Sequence, residues 1–190
     1  MARRSRHNGV SWPGQKILKK LLDKPQTICY TTIRKRQEDN TMKIYLAGSC
    51  GNEQRTMMVN IGKALRAKGY EVYCPFELQI PNAWDMSQEA WAQWVFQTDL
   101  IAINNCDAMV SISQGRQSTA GTNWEQGFAY GLEIPVHVVQ ITDAPTSLMT
   151  YWGCDSFHVA TPKTVNDVVL DVLHDAENHF TDRDCVPVLT

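Results

Sequence analysis

The chain is 190 residues long, 43% hydrophobic and 20% charged, which suits one folded domain and excludes wholesale disorder. Mean hydropathy is −0.32. No apolar run approaches the roughly 18 residues a membrane helix needs, so the sequence reads as a soluble globular protein with no membrane partner. The net charge of −2 conceals a split: residues 1–41 carry 10 Lys/Arg against 3 Asp/Glu, and acids dominate residues 42–190.

Those first 41 residues alternate basic patches with turn formers (Asn8-Gly9, Pro13-Gly14, Pro25). Residues 15–22 have the spacing of a short helix with Ile17, Leu18, Leu21 and Leu22 on one side, which is marginal on its own. The segment reads as a basic N-terminal extension, flexible or loosely docked, on a domain spanning 42–190. A basic arm for nucleic acid or another phosphate-rich partner is the sharper alternative. Arg3, Arg4 and Arg6 precede no apolar stretch, so this is not the pattern of a secretory signal. The six cysteines, at 29, 50, 74, 106, 154 and 185, include no C-x-x-C pair and no histidine at metal-ligand spacing. Reduced thiols, a cytoplasmic location and no metal or organic cofactor are the expectation.

From Met42 onward, apolar runs alternate with helical periodicity. Residues 43–47 predict a strand ending at Gly48, and 53–68 a helix with Met57, Ile61 and Leu65 on its apolar side, stopped by Gly69. A second strand is expected at 70–74, halted by Pro75, and a long helix at 87–105 carrying Trp91, Trp94, Val95, Leu100 and Ile101. The third strand is placed at 108–112, a helix at 122–132, a fourth strand at 135–141 and a fifth at 156–160. An amphipathic helix at 164–180 closes the domain. This alternation argues for an α/β fold, a doubly wound five-stranded parallel sheet with helices on both faces. Ligands of such sheets bind beyond the carboxyl ends of the strands, here the segments 48–55, 75–85, 113–125 and 142–153.

Three groups of residues are candidates to carry chemistry. The run from Tyr45 through Gly48, Ser49 and Gly51 to Arg55 passes from a strand through a glycine-containing loop into a helix. Free backbone N–H groups and the helix dipole can then face an anion or a sugar oxygen, although the run is equally a plain turn. It lacks the G-x-G-x-x-G spacing and a Walker lysine, which argues against dinucleotides and nucleoside triphosphates. The stretch Gly121-Thr122-Asn123-Trp124-Glu125-Gln126-Gly127-Phe128-Ala129-Tyr130-Gly131 enters a helix whose small residues Gly127, Ala129 and Gly131 allow close approach to the sheet. Glu125 falls in the first turn of that helix, where the dipole favours an ionised carboxylate, and it is also a common kind of helix stabiliser. Asp99 lies late in the long helix among Trp94, Phe96, Leu100 and Ile101, either at an exposed edge or beside a pocket with a raised pKa. Asp107 fits a turn or capping role. Two carboxylates in different environments are what glycosyl chemistry needs, one ionised at the anomeric carbon and one able to hand over a proton.

Tyr45-x-x-Gly48, Asp99, Gly121-Thr122-x-x-Glu125-x-Gly127-x-Ala129, and Leu148-Met149 shortly before Trp152-Gly153 together resemble the nucleoside 2-deoxyribosyltransferase family over about residues 43–175. The resemblance implies a flavodoxin-like fold and double displacement at the anomeric carbon. Glu125 would be the nucleophile that forms a 2-deoxyribosyl ester, Tyr45 would hold it, and Asp99 would protonate the leaving base. Gly48, Gly121, Thr122 and Met149 would belong to the substrate site. The partners implied are a nucleoside or nucleotide, a free nucleobase, and a second copy of the chain whose loop around Ser147-Leu148-Met149 closes over the sugar. Five aromatics (Trp84, Trp91, Trp94, Phe96, Trp124) are candidates for base stacking, core or interface.

The sequence departs from the family pattern at two places. Transferases acting on free nucleosides carry Asp six residues before the nucleophile and Asn at the neighbour-supplied position, where this chain has Thr119 and Ser147. A related branch, the 2′-deoxynucleoside 5′-monophosphate N-glycosidases, has hydroxyl residues at both places and a Gly-Ser pair resembling Gly48-Ser49. On that resemblance Ser49, Thr119 and Ser147, with Arg55 or Arg116, would cradle a 5′-phosphate. That branch usually has Arg two residues after its Ser, and this chain has Gly51. Transfer between bases is the leading expectation, and hydrolysis of monophosphates is the alternative. A non-enzymatic nucleotide sensor is disfavoured by the presence of Tyr45, Asp99 and Glu125 together.

Overall fold

A computed structural model describes residues 41–49 and 51–178. The expected basic extension, the short helix at 15–22 and the end of the closing helix past residue 178 lie outside the described residues.

β1 (Lys43–Gly48) is buried from Ile44 onward, as an interior strand of a two-faced sheet must be. It leads into α1 (Asn52–Ala67), which ends where Gly69, at φ +96°, takes the left-handed conformation. The N–H groups of Gly69 and Tyr70 then close onto the carbonyls of Arg66 and Leu65. β2 (Glu71–Tyr73) follows and stops before Pro75. Ser87 caps α2 (Gln88–Asn105) by accepting the Ala90 N–H at 3.2 Å. β3 (Ala108–Ser113), α3 (Ala120–Gly131), β4 (Val136–Gln140), α4 (Leu148–Trp152), β5 (Ser156–Val159) and α5 (Val165–Asn178) complete the order. No helix among the described residues is long and apolar enough to cross a membrane.

All strand pairings are parallel, in the order β2-β1-β3-β4-β5. This is the flavodoxin-like winding, which reverses direction between β1 and β3 and opens a crevice at their carboxyl ends. Period-two alternation sorts side chains to two faces. Ile44, Leu46, Val110, Ile112 and Val139 pack with Met58, Ile61 and Leu65 of α1 and Val169 and Leu173 of α5. Tyr45, Ala47, Met109, Val136 and Val138 pack with Ile103 of α2 and Ala129 of α3. Gly48 is needed on the first face, because a Cβ there would lie 2.6 Å from the Met58 thioether.

The structure corrects four expectations. α3 begins at Ala120, with Thr119 as its cap, so Glu125 stands in the second turn rather than the first. Gly127 and Gly131 do not bring that helix close to the sheet: a Cβ at either would meet nothing within 4 Å, and Ala129 is the buried small residue. Residues 148–152 form a short helix that the sequence reading left as loop. The five aromatics are not core, since all are exposed and Trp84 is 98% so. Three of them, Trp91, Trp94 and Phe96, lie on α2, whose apolar side chains are not gathered on one face.

Candidate active site

β1 and β2 are in register at Tyr45 and Tyr73, so both tyrosines rise from the same face and their rings stack 5.4 Å apart at 23°. Tyr45 is fully buried, and its hydroxyl donates to Oε1 of Glu125 at 3.0 Å. The Tyr73 hydroxyl donates to Oδ1 of Asp99 at 2.7 Å. Two carboxylates, one from α3 and one from α2, are thus held over the sheet by adjacent strands through parallel phenol–carboxylate contacts.

Burial sets the electrostatics. It pushes the Glu125 carboxyl up to about 7, with the Tyr45 hydrogen bond pulling it back and the nearby Asp99 charge raising it further. Burial also raises Asp99, and the Tyr73 hydroxyl opposes that rise. Both phenols are pushed well above their ordinary range, first by burial and then by the carboxylates facing them, so each stays a donor. The helix-dipole argument made from sequence therefore gives way to desolvation: one turn further into the helix the dipole fades and low polarity governs.

The remaining expected residues divide into two groups. Ser49, buried just past the end of β1, accepts the Thr119 N–H at 3.3 Å and so ties the end of β1 to the start of α3. Thr119 caps α3, its hydroxyl accepting the Thr122 N–H at 3.3 Å and meeting the Thr122 hydroxyl at 2.9 Å. Gly121 is exposed in the first turn of the same helix. Ser147 and Met149 line an open depression of about 640 Å³ with Gly115, Arg116, Asn123 and Leu148. Arg55 points elsewhere: its guanidinium donates to the Phe76 carbonyl at 3.1 Å, away from the Ser49–Thr119 pair. Asp107, outside the site, accepts the Lys43 N–H at 2.8 Å and so fixes the start of β1.

Two contributors were not singled out from sequence. Tyr73 gave no signal beyond lying on a predicted strand. Gln126 is buried and donates to the carbonyls of Thr150 at 3.0 Å and Gly153 at 3.3 Å, tying the helix of Glu125 to α4. The sequence shows only that a glutamine follows Glu125; its burial and its two acceptors emerge from the fold.

The sequence profile of the nucleoside 2-deoxyribosyltransferase family matches residues 44–177. The chain belongs to this family. Among solved structures it is similar to a 2-deoxyribosyltransferase from Bacillus psychrosaccharolyticus, at 30% identity and a TM-score of 0.57, covering 66% of this chain and 90% of that one. It shares its fold with a CMP N-glycosidase from Clostridium botulinum, at 14% identity and a TM-score of 0.50, over 67% of this chain and 97% of that one. A conserved protein from Enterococcus faecalis has the same fold, at 18% identity and a TM-score of 0.53, over 70% and 99%. Among curated proteins no sequence match reaches significance. As a nucleoside 2-deoxyribosyltransferase family member, the chain carries its matched segment from β1 to α5, so Tyr45, Tyr73, Asp99 and Glu125 all fall inside it.

Proposed function

We propose that the protein cleaves the N-glycosidic bond of 2′-deoxynucleosides and transfers the sugar to another nucleobase through an ester on Glu125. The observation that carries this reading is the placement of Glu125, held at Oε1 by Tyr45, beside a second carboxylate at Asp99. Because Tyr45 occupies Oε1, the other Glu125 oxygen is free to attack the anomeric carbon as the C–N bond breaks and its electron pair passes to the base. Asp99 supplies a proton to the departing base and recovers it from the incoming one, a role worth about 100- to 10,000-fold. An ionised Glu125 also stabilises the cation-like transition state from a site of low polarity. Hydroxyls and backbone donors around Gly48, Ser49, Gly121 and Thr122 would position the sugar.

Hydrolysis of 2′-deoxynucleoside 5′-monophosphates by the same residues is the second reading. It draws support from the depression where Arg116 and Ser147 meet, since Arg116 is the one charged side chain lining it. Thr119 speaks against it, because its hydroxyl is engaged in the helix cap. The exposed Leu148 and Met149, at 75% and 82%, together with the bare aromatics of α2, fit a second copy of the chain docking beside the site. The cytoplasm is the proposed location.

A chromatographic assay with deoxycytidine and its 5′-monophosphate, each with and without adenine, separates the readings. Deoxyadenosine formed from the free nucleoside supports transfer. Cytosine released from the monophosphate alone supports hydrolysis. Turnover that survives Glu125→Ala would sink both.

A further inference from the structure

We propose that Tyr73 is a positioning residue for the acid, orienting Asp99 so that its transferable proton is held on Oδ2, facing the leaving base. This rests on the reading of Asp99 as the acid, and it extends that reading to the strand beside it.

A protonated carboxyl has two oxygens to choose between, and a proton on the oxygen turned away from the substrate is useless for catalysis. The Tyr73 hydroxyl donates to Oδ1 at 2.7 Å, and because a protonated carboxyl oxygen is the poorer acceptor, that contact favours Oδ1 as the carbonyl-like oxygen and Oδ2 as the one that carries the proton. Tyr73 is itself held: its ring lies against Tyr45 at 5.4 Å, on paired strands whose register places the two residues side by side. The phenol remains a donor through the working range, because burial and the facing carboxylates disfavour its anion. It therefore directs the Asp99 proton and does not supply one. As the base leaves, the C–N electron pair moves onto the base, the Oδ2 proton follows it, and the new Asp99 anion keeps the Tyr73 hydrogen bond. When the acceptor base attacks, the proton returns to Oδ2.

The groups facing Asp99 are Tyr73 on β2, Tyr45 on β1 and Glu125 on α3, and the Asp99 charge in turn raises Glu125. Removing the Tyr73 hydroxyl deletes an interaction that favours ionised Asp99. Tyr73→Phe should then lower kcat on deoxycytidine about 10- to 100-fold with little change in KM. It should also move the alkaline limb of kcat/KM up by about one pH unit. A 4-nitrophenyl 2-deoxyriboside, whose leaving group needs no proton, should lose about threefold or less. Adding Tyr73→Phe to Asp99→Asn should cost nothing further. Site-specific 3-fluorotyrosine at position 73, a stronger donor of nearly the same shape, should move the same limb downward.

Equal losses on both substrates with an unmoved pH profile would show a merely structural role and overturn the proposal, as would an unchanged rate on deoxycytidine. Carbon-13 titration of the Asp99 carboxyl in the wild type and Tyr73→Phe reads the contact without turnover: a higher pKa in the variant is expected, and an unchanged one refutes the proposal. If that titration behaves as expected while the wild-type protein releases base from no deoxynucleoside or deoxynucleotide, the proposed function has failed rather than the contact.

Discussion

Glu125→Gln should make the protein more stable while abolishing its chemistry. The Glu125 carboxyl, ordinarily at 4.5, is raised to about 7, so ionising it in the folded state is unfavourable. At roughly 1.36 kcal/mol per unit, that shift is worth about 3 kcal/mol of folding free energy. The sign follows from linkage. A carboxyl whose folded pKa lies above its unfolded one is neutral in both states at low pH, and stability is lost as pH rises from 4.5 through 7. Glutamine keeps the shape and still offers an oxygen to the Tyr45 hydroxyl, so the substitution isolates the charge. At pH 8.5 the variant should unfold about 2–3 kcal/mol later than the wild type, raising Tm by roughly 5–10 °C. Below pH 4.5 the difference should vanish. Scanning calorimetry of both proteins at pH 4.3, 6 and 8.5 is the assay. A gain that is absent, or equal at every pH, would refute the desolvation argument and return Glu125 to an ordinary exposed helix position.

Tyr45→Phe removes the hydrogen bond that opposes the rise at Glu125, so the acid limb of the pH–rate profile should move up and the rate at pH 6 fall about tenfold; a limb that stays put or moves down contradicts the contact. Gln126→Ala should cost about 1–3 kcal/mol and speed amide exchange across 148–153, because two carbonyls lose their shared donor; exchange that accelerates elsewhere instead would show that the tie is not local. Glu133 sits at φ +60° just past α3, so Glu133→Gly should raise stability by about 0.5–1 kcal/mol in chemical denaturation.

Much of this architecture was legible in the sequence because the pattern and the punctuation agreed. Gly69 ended a helix where the chain needed a positive φ, Pro75 ended a strand, and Ser87 began a helix by capping it. The strand order came from a different source, the resemblance, since periodicity says nothing about which strands become neighbours. The environment of Glu125 was misjudged: a start only two residues early moved it from the first turn to the second and exchanged a dipole effect for burial. Tyr73 escaped notice because its importance lies in a register, Tyr73 opposite Tyr45, which becomes visible only when two strands are paired. The helix at 148–152 is one turn long and is held by Gln126 from outside, so local propensity carries almost no trace of it.

The proposed acid and the proposed nucleophile are not equally secure. Glu125 leans on β1, an interior strand bonded on both sides, whereas Asp99 leans on β2, a three-residue edge strand. That edge is pinned from α1 by Arg66, which pairs with Glu77 and donates to the Val72 carbonyl at 2.9 Å, and by Arg55 on the Phe76 carbonyl. Such exposed contacts are weak and are screened by salt. Warmth or high ionic strength should therefore fray the edge well before the sheet melts. Under the proposed mechanism, that would spare sugar transfer from donors with self-sufficient leaving groups and impair it from natural bases, so leaving-group preference and ester formation are set by strands of unequal security.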